Sequence, residues 1–392
     1  MSRSTRALVV TAVPLLLSAC DDAATAGGSG GASNSATSTT GAPTSNATGT
    51  SSASTGSSST GGGAFTPLFS PYKDTTIHMD WNTNVISTDV SGATTPLASD
   101  LVASGGERVT LAFATGECGS ETWAGQSGEA LATANVPLLV SSGVGYIVST
   151  GGAAGSFTCA SDAGMEAFIA RWASPKLLGI DFDIEGGQSQ AVIDDLVKRI
   201  QAAHAAHPTL RFSLTLATLA ANAGASTATE LGASAPDSFN TYGDMALSAV
   251  GETLGFSGSP ETWPSYLTLN LMTMDYGAPS ASVCVVANGE CDMGESAIQA
   301  AYNLHDKWGV PYGAIEITPM IGGNDVASEH FTLDDASTVA AFALSRGLAG
   351  VHYWSYDRDV DCPPGPASPT CNSLGGAGPH GFLKQFQSAG LP

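Results

Sequence analysis

The chain has 392 residues, with 35 Asp and Glu against 13 Lys and Arg, a formal net charge of −22. A surface of that sign argues against nucleic acid and against anionic membrane faces as partners, and it is neutral towards a sugar. The length is ordinary for one α/β barrel carrying a leader and a linker.

At the N-terminus Arg3 and Arg6 precede an apolar run over residues 7–17, which ends in Leu17-Ser-Ala-Cys20. A positive start, a short apolar core and small residues at the break read as a secretory signal, too short to span a bilayer comfortably. Leu-Ser-Ala-Cys also resembles the bacterial lipoprotein box, which implies a leader over 1–20, lipidation of Cys20 and membrane contact through that anchor only. An ordinary signal cleaved nearby, with Cys20 incidental, is the alternative. Residues 21–63 are almost entirely Ser, Thr, Gly, Ala and Asn. Such a segment has no apolar surface to offset the entropy of ordering it, so it is expected to be a disordered tether.

From residue 64 to 392 the composition is even. Strand-like apolar runs recur at 75–79, 108–114, 145–150, 178–185, 210–217, 266–274, 312–318 and 348–354, with helical patterns such as 190–207 and 334–345 between them. Eight units at this spacing predict a (β/α)8 TIM barrel as a single catalytic domain, with its chemistry at the C-terminal ends of the strands.

The fourth run carries Ile180-Asp-Phe-Asp-Ile-Glu185. Acid and apolar residues alternate with period two, so Asp181, Asp183 and Glu185 share one face of a strand and Ile180, Phe182 and Ile184 the other. Three carboxylates on one face repel, so a proton is expected to be held among them near neutral pH. Glu185, where the strand breaks at Gly186-Gly187, is placed to act as a general acid. Two blander readings compete. A calcium loop opening at Asp181 would need an acid at its twelfth position, where Val192 stands. A solvated edge strand would leave Ile180, Phe182 and Ile184 as its only inward residues.

Gly179-Ile-Asp-Phe-Asp-Ile-Glu185 resembles the D-x-x-D-x-D-x-E signature of family 18 glycoside hydrolases, the chitinase family, with Leu178 where the family usually has its first Asp. Further motifs carry the same resemblance. Ser149-Thr-Gly-Gly152 is similar to the family's Ser-x-Gly-Gly, where Gly151 and Gly152 would let the sugar and the acid strand come close. Leu271-Met-Thr-Met-Asp-Tyr-Gly277 is similar to Met-x-Tyr-Asp-x-x-Gly. Met272 and Asp275 match, Met274 replaces the usual Tyr, and Tyr276 is the candidate to supply its hydroxyl. Met272 and Met274 read equally well as barrel core. Thr318-Pro-Met-Ile-Gly-Gly-Asn-Asp325 looks like a bacterial and archaeal chitinase branch, and Trp354 stands where the family has a Trp flooring the sugar pocket. The resemblance also implies non-proline cis peptides at Trp354-Ser355 and Ala112-Phe113, with Phe113 seated beside the acids.

Seven cysteines become six if Cys20 is lipidated, an even count in an oxidising compartment. Short loops point to Cys284–Cys291 and Cys362–Cys371, leaving Cys118 with Cys159. Free thiols or a metal site are the alternatives, the latter without a Cys-x-x-Cys pattern. His204 and His207 read as a solvated helix end rather than a zinc site, and Asp357, Asp359 and Asp361 as unrelated acids rather than a calcium site.

The resemblance implies substrate-assisted retaining hydrolysis of β-1,4-linked N-acetylglucosamine polymers, without a cofactor or metal, by a monomer exported to the cell envelope. Glu185, Asp183, Asp181, Asp275 and Tyr276 would be catalytic, and Trp354, Met272, Phe113, Gly151 and Gly152 would bind the sugar. Only about thirty residues separate the seventh and eighth strands, room for one βα unit. An open groove and internal cleavage are therefore expected. The runner-up readings are a non-catalytic, lectin-like barrel and an endo-N-acetylglucosaminidase acting on glycan cores.

Overall fold

Eight parallel strands close into a barrel in the computed structural model, which describes residues 68–392. The expected leader, Cys20 and the tether over 21–63 lie outside the described residues. The strands are β1 (Leu68–Phe69 and Tyr72–Asp74), β2 (Arg108–Ala114), β3 (Gly145–Gly151), β4 (Leu177–Ile184), β5 (Arg211–Ala217), β6 (Leu267–Thr273), β7 (Ile315–Pro319) and β8 (Gly350–Val351). Each pairs in parallel with its neighbours in chain order. Leu68–Phe69 of β1 pairs with β8 and Tyr72–Asp74 with β2, so the first strand is bonded on both edges and the ring closes.

Eight helices follow the strands: α1 (Leu97–Ser104), α2 (Gly128–Ser141), α3 (Asp162–Trp172), α4 (Gln190–Ala206), α5 (Thr241–Leu254), α6 (Met293–Trp308), α7 (Leu333–Arg346) and α8 (Gly381–Ser388). Their apolar stripes explain why they lie on the outside of the ring. In α4 the buried residues are Ile193, Leu196, Val197, Ile200 and Ala203, spaced three and four apart, which is one face of a helix. In α7 Thr332 and Asp335 form a reciprocal capping box, and Gly347 ends the helix in the left-handed region. Ile180, Phe182 and Ile184 of β4 are buried in the same apolar core as these stripes. The other face of β4, with its acids, is left for the barrel axis.

The first strand differs from the sequence expectation. Residues 75–79 form a turn, started by the Asp74 carboxylate, which accepts the Thr76 N–H at 2.9 Å and the Thr76 hydroxyl at 2.7 Å. The strand itself lies just before, where Pro71 and Lys73 disguise it. Lys73 is buried because Asp357 Oδ2 and the Asp74 and Ile77 carbonyls accept its three hydrogens at 2.6, 2.6 and 2.7 Å.

The three expected disulfides are present: Cys118–Cys159, Cys284–Cys291 and Cys362–Cys371. The first ties the loop after β2 to the loop after β3, beside the barrel mouth. His204 stacks on Tyr266 with ring centroids 3.9 Å apart, and His207 does have a carboxylate partner, Glu166 at 2.7 Å. Asp357, Asp359 and Asp361 go separate ways: to Lys73, to the N-terminus of α8, and to the loop amides of Gly376, Ala377 and Gly378. No helix among the described residues is long and apolar enough to cross a membrane.

Candidate active site

The register of the barrel assembles the site. Asp181 on β4 lies opposite Ser149 on β3 and Ser213 on β5, and Asp183 lies opposite Gly151 and Thr215. Inward-facing hydroxyls therefore surround the lowest acid. Asp181 accepts four of them, from Ser149 at 2.6 Å, Ser213 at 2.6 Å, Thr215 at 2.7 Å and, across the barrel, Tyr72 at 3.0 Å. Burial pushes the Asp181 carboxyl up, and these four donors oppose it. Asn270 donates to Tyr72 and Thr215, both at 2.9 Å, and accepts from Thr318 at 2.7 Å, which extends the network to β6 and β7.

One layer higher, Asp183 has no such shell. Burial pushes its carboxyl well above the usual range, and the charges of Glu185 and Asp181 push it further. Glu185 is also pushed up, by burial and then by the charge of Asp275, against a hydrogen bond from Asp183 and the Ala153 N–H. No cation contributes to either shift. Burial and mutual repulsion therefore push Asp183 and Glu185 in the same direction, towards the protonated form.

Gly151 is a requirement of this approach. Its φ is +86°, and a Cβ there would stand 1.9 Å from the Asp183 carbonyl oxygen. A Cβ on Gly152 would meet the Phe113 ring at 2.7 Å. Both glycines let β3 lie against the acid strand and Phe113. Neither is part of the pocket wall, so what they do in this structure is shape the site from behind.

The acids open into a pocket of about 250 Å³ at the C-terminal end of the barrel. Asp183, Glu185, Thr215 and Tyr72 form its polar base. Met272, Met274 and Met320 line one part, Phe113 and Trp354 another, and Asp275 and Asp325 reach its edge. The bonds Ala112-Phe113 and Trp354-Ser355 are both cis. The two rings they carry stack with centroids 5.6 Å apart and planes 20° from parallel. An aromatic wall facing a carboxyl base suits a ligand with one C–H-rich face and several hydroxyls.

Tyr276 is a correction to the sequence reading. Alternation along β6 carries Met272 and Met274 into the pocket, and then Asp275 takes a positive φ of +54°. That turn brings Asp275 to the pocket as well and sends Tyr276 away from it. Tyr276 is buried, and its hydroxyl lies outside the pocket wall with Thr273 beside it. Burial and the nearby Glu329 charge push that hydroxyl well above its ordinary pKa. Met274 stands where the hydroxyl was expected.

Tyr72, Thr215 and Asn270 were not singled out from sequence, and Thr318, Met320 and Asp325 only as parts of the motif over 318–325, without a role in the site. A signal existed for some of them. In Arg211-Phe-Ser-Leu-Thr-Leu-Ala217, Ser and Thr alternate with Phe and Leu, which marks a polar inward face. No such pattern marks Tyr72, which sits between Pro71 and Lys73.

No family model matches the chain. A 103-residue stretch, 24% of this chain, is 39% identical to a probable bifunctional chitinase/lysozyme from Escherichia coli K12. A 114-residue stretch, 26% of this chain, is 38% identical to Endochitinase 11 from Metarhizium anisopliae. These stretches span only 11% and 20% of the two relatives' own lengths. Among solved structures, the catalytic domain of a hyperthermophilic chitinase from Pyrococcus furiosus is similar over 85% of this chain and 99% of its own, at 22% identity and a TM-score of 0.59. Catalytic-site mutants of active domain 2 of the thermostable chitinase from the same organism, complexed with chito-oligosaccharides, match over 85% and 98% at the same identity and TM-score. At this identity the likeness is one of fold, and the fold these chains share is the closed (β/α)8 barrel described above.

Proposed function

We propose that the chain is a chitinase-like glycoside hydrolase of family 18 that cleaves β-1,4-linked N-acetylglucosamine polymers with retention. The observation that carries the reading is the Asp183–Glu185 pair. These two carboxyls lie buried at the base of a pocket walled by Trp354 and Phe113, and burial pushes both up with no cation to oppose it. A buried acid that holds its proton more tightly than a free carboxyl is what protonation of a leaving oxygen requires. The short curated similarities and the chito-oligosaccharide complex of the archaeal fold relative support the substrate class.

In this mechanism the carbonyl oxygen of the sugar's own 2-acetamido group attacks the anomeric carbon as the glycosidic bond breaks. Glu185 gives its proton to the leaving oxygen. Asp183 accepts the acetamido N–H as positive charge develops on the oxazolinium ring, with Asp181 as the fixed negative charge behind it. Water then opens the ring at the same face, and Glu185 takes the proton of that water and returns to its acid form. The contacts to the acetamido group tighten as charge builds, the condition for lowering the barrier rather than merely binding. With Tyr276 turned inward, Asp275 is the polar group left on the carbonyl side, among Met272, Met274 and Met320. Trp354 floors the sugar ring.

Cleavage is internal and the groove open, since β7 and β8 are joined by a short hairpin (Gly322–Gly323 with His330–Phe331) and α7 alone. The barrel is exported, in keeping with its three disulfides, and anchored by lipid on Cys20. The deciding experiment is product analysis with N-acetylglucosamine oligomers and polymer, beside the Glu185→Gln variant. Retained-anomer products of mixed length are expected. Binding without cleavage by the unaltered protein would favour a lectin-like barrel and sink the hydrolytic reading.

A further inference from the structure

Glu329 belongs to the loop after β7 and forms no part of the pocket wall, yet it is fully buried. Its two carboxylate oxygens take consecutive backbone amides of the turn after β6. Oε2 accepts the Tyr276 N–H at 3.0 Å and Oε1 accepts the Gly277 N–H at 2.8 Å. The residue immediately before those amides is Asp275, held at a φ of +54° that a non-glycine residue rarely adopts.

Further bonds lock the same two loops together. The Asp275 carboxylate accepts the Val326 N–H at 3.2 Å, and the Asp275 N–H points to the Asn324 side-chain oxygen at 3.4 Å. Asn324 gives its backbone N–H to the Glu329 carbonyl at 3.0 Å, and Glu329 gives its own to Val326 at 2.8 Å. The Asn324 side-chain amide is fixed in turn on the Met320 and Gly322 carbonyls, at 2.9 and 3.2 Å.

We propose that Glu329 is a positioning residue that sets the direction of the Asp275 carboxylate into the pocket. A buried carboxylate is costly to desolvate, and the neighbouring Asp275 charge adds to the cost. A packing role would be met by an apolar side chain without that penalty. What only a carboxylate supplies here is two acceptors at the separation of successive amides, and two donors in a row are what a left-handed turn offers. The clamp also accounts for the inward rotation of Tyr276, whose amide it holds. The role rests on the hydrolytic reading of the pocket, because Asp275 matters only if the pocket binds the reacting sugar.

Glu329→Gln keeps the shape of the side chain but has one acceptor oxygen where the turn needs two, and it sets an NH2 against the remaining amide. A misplacement of about 1 Å at a reacting group can cost on the order of a hundredfold. Turnover of N-acetylglucosamine oligomers is measured for the unaltered protein, Glu329→Gln, Asp275→Asn and the double variant, with amide hydrogen exchange followed at residues 275–277. Glu329→Gln should lower kcat about ten- to a hundredfold, with faster exchange at Tyr276 and Gly277 and an unchanged rate in the barrel strands. In the Asp275→Asn background it should cost no more than about twofold, because the two act through one group. Additive losses, or unchanged exchange at those amides, overturn the proposal. If Glu329→Gln fails to fold, Glu329→Asp, which withdraws the carboxylate by one methylene, should show the same coupling. If the unaltered protein cleaves nothing, the hydrolytic reading fails, and the exchange result alone decides whether the clamp exists.

Discussion

Two sets of buried carboxyls, Glu316 near the N-terminal end of the barrel and the Asp183–Glu185 pair at the C-terminal end, are treated in opposite ways. At the N-terminal end Glu316 on β7 accepts from Arg211 at 2.5 Å and from His352 at 2.9 Å. Burial alone would push its carboxyl up, but the guanidinium charge and the imidazole overcome this and hold it at about 2. At the C-terminal end Asp183 and Glu185 have no cation, and burial and mutual repulsion push both up. A carboxyl that only has to hold strands together is paired. The pair proposed to carry a proton is left without a cation, at a cost in stability that Glu316 does not incur.

The sharpest way to break that distinction is Glu185→Gln. The variant should fold and bind N-acetylglucosamine oligomers, since the amide fills the same space, while turnover falls by roughly a thousandfold or more, the scale of a lost general acid. Single-turnover kinetics with calorimetric binding separates the two. Turnover within tenfold of the unaltered protein would show that the proton comes from elsewhere.

The paired and unpaired ends should also respond oppositely in stability. Glu316→Gln leaves Arg211 and His352 facing each other without the charge between them, and breaking a buried pair typically costs about 3–5 kcal/mol. The Glu316 contribution is fully present above its unfolded pKa and is lost as pH falls towards about 2, so the gap between variant and parent should close in acid. Asp183→Asn should do the reverse. The folded-state pKa of Asp183 lies above its unfolded value, so folding favours its protonated form, a requirement that costs stability above the unfolded pKa. Removing that requirement raises the melting temperature at pH 7, and the gain shrinks as pH falls towards 4, while turnover is lost. Thermal unfolding of both variants from pH 3 to 8 reads all of this. A destabilised Asp183→Asn at pH 7 would mean that the two ends do not differ as described.

A smaller effect belongs to the aromatic wall. Trp354→Ala removes the surface that stacks on Phe113 and floors the pocket. Loss of such an anchor should raise KM for oligomers about ten- to a hundredfold, with kcat much less affected. An unchanged KM would place the sugar away from Trp354.

The same contrast explains what could be read before the fold was known. The acid strand was legible because alternation is a local pattern, and Ile180-Asp-Phe-Asp-Ile-Glu185 declares which side each residue faces. The glycine pair and the aromatic wall were legible through resemblance, as were the cis bonds beneath the rings. The first strand was hidden because Lys73 is acceptable in a core only once Asp357, distant in sequence, is known to meet it. The four hydroxyls around Asp181 come from β1, β3 and β5, so their convergence is a property of register and barrel closure. Glu329 was invisible for a related reason: its partners are two backbone amides, which leave no mark on the residue types of the turn.

The smallest expected effect tests the correction at the end of β6. The resemblance made Tyr276 the candidate for the hydroxyl on the carbonyl side, and the structure turns it inward at Asp275, with Thr273 beside its hydroxyl. Removing a buried hydroxyl that lies outside the pocket forfeits at most one neutral hydrogen bond, about 0.5–1.5 kcal/mol, against a relieved desolvation penalty. Tyr276→Phe should therefore keep kcat and KM within about twofold and leave the melting temperature within a few degrees of the parent. The ring itself still has to fill its place under Glu329, so Tyr276→Ala is expected to disturb the Asp275 turn and lose activity through that route. The pair of variants separates hydroxyl from ring. If Tyr276→Phe instead lost tenfold or more in kcat at unchanged stability, the turn would have to reverse when sugar binds, bringing the hydroxyl to the carbonyl. The Glu329 clamp would then be the bond that has to open on binding, rather than the one that holds the site ready.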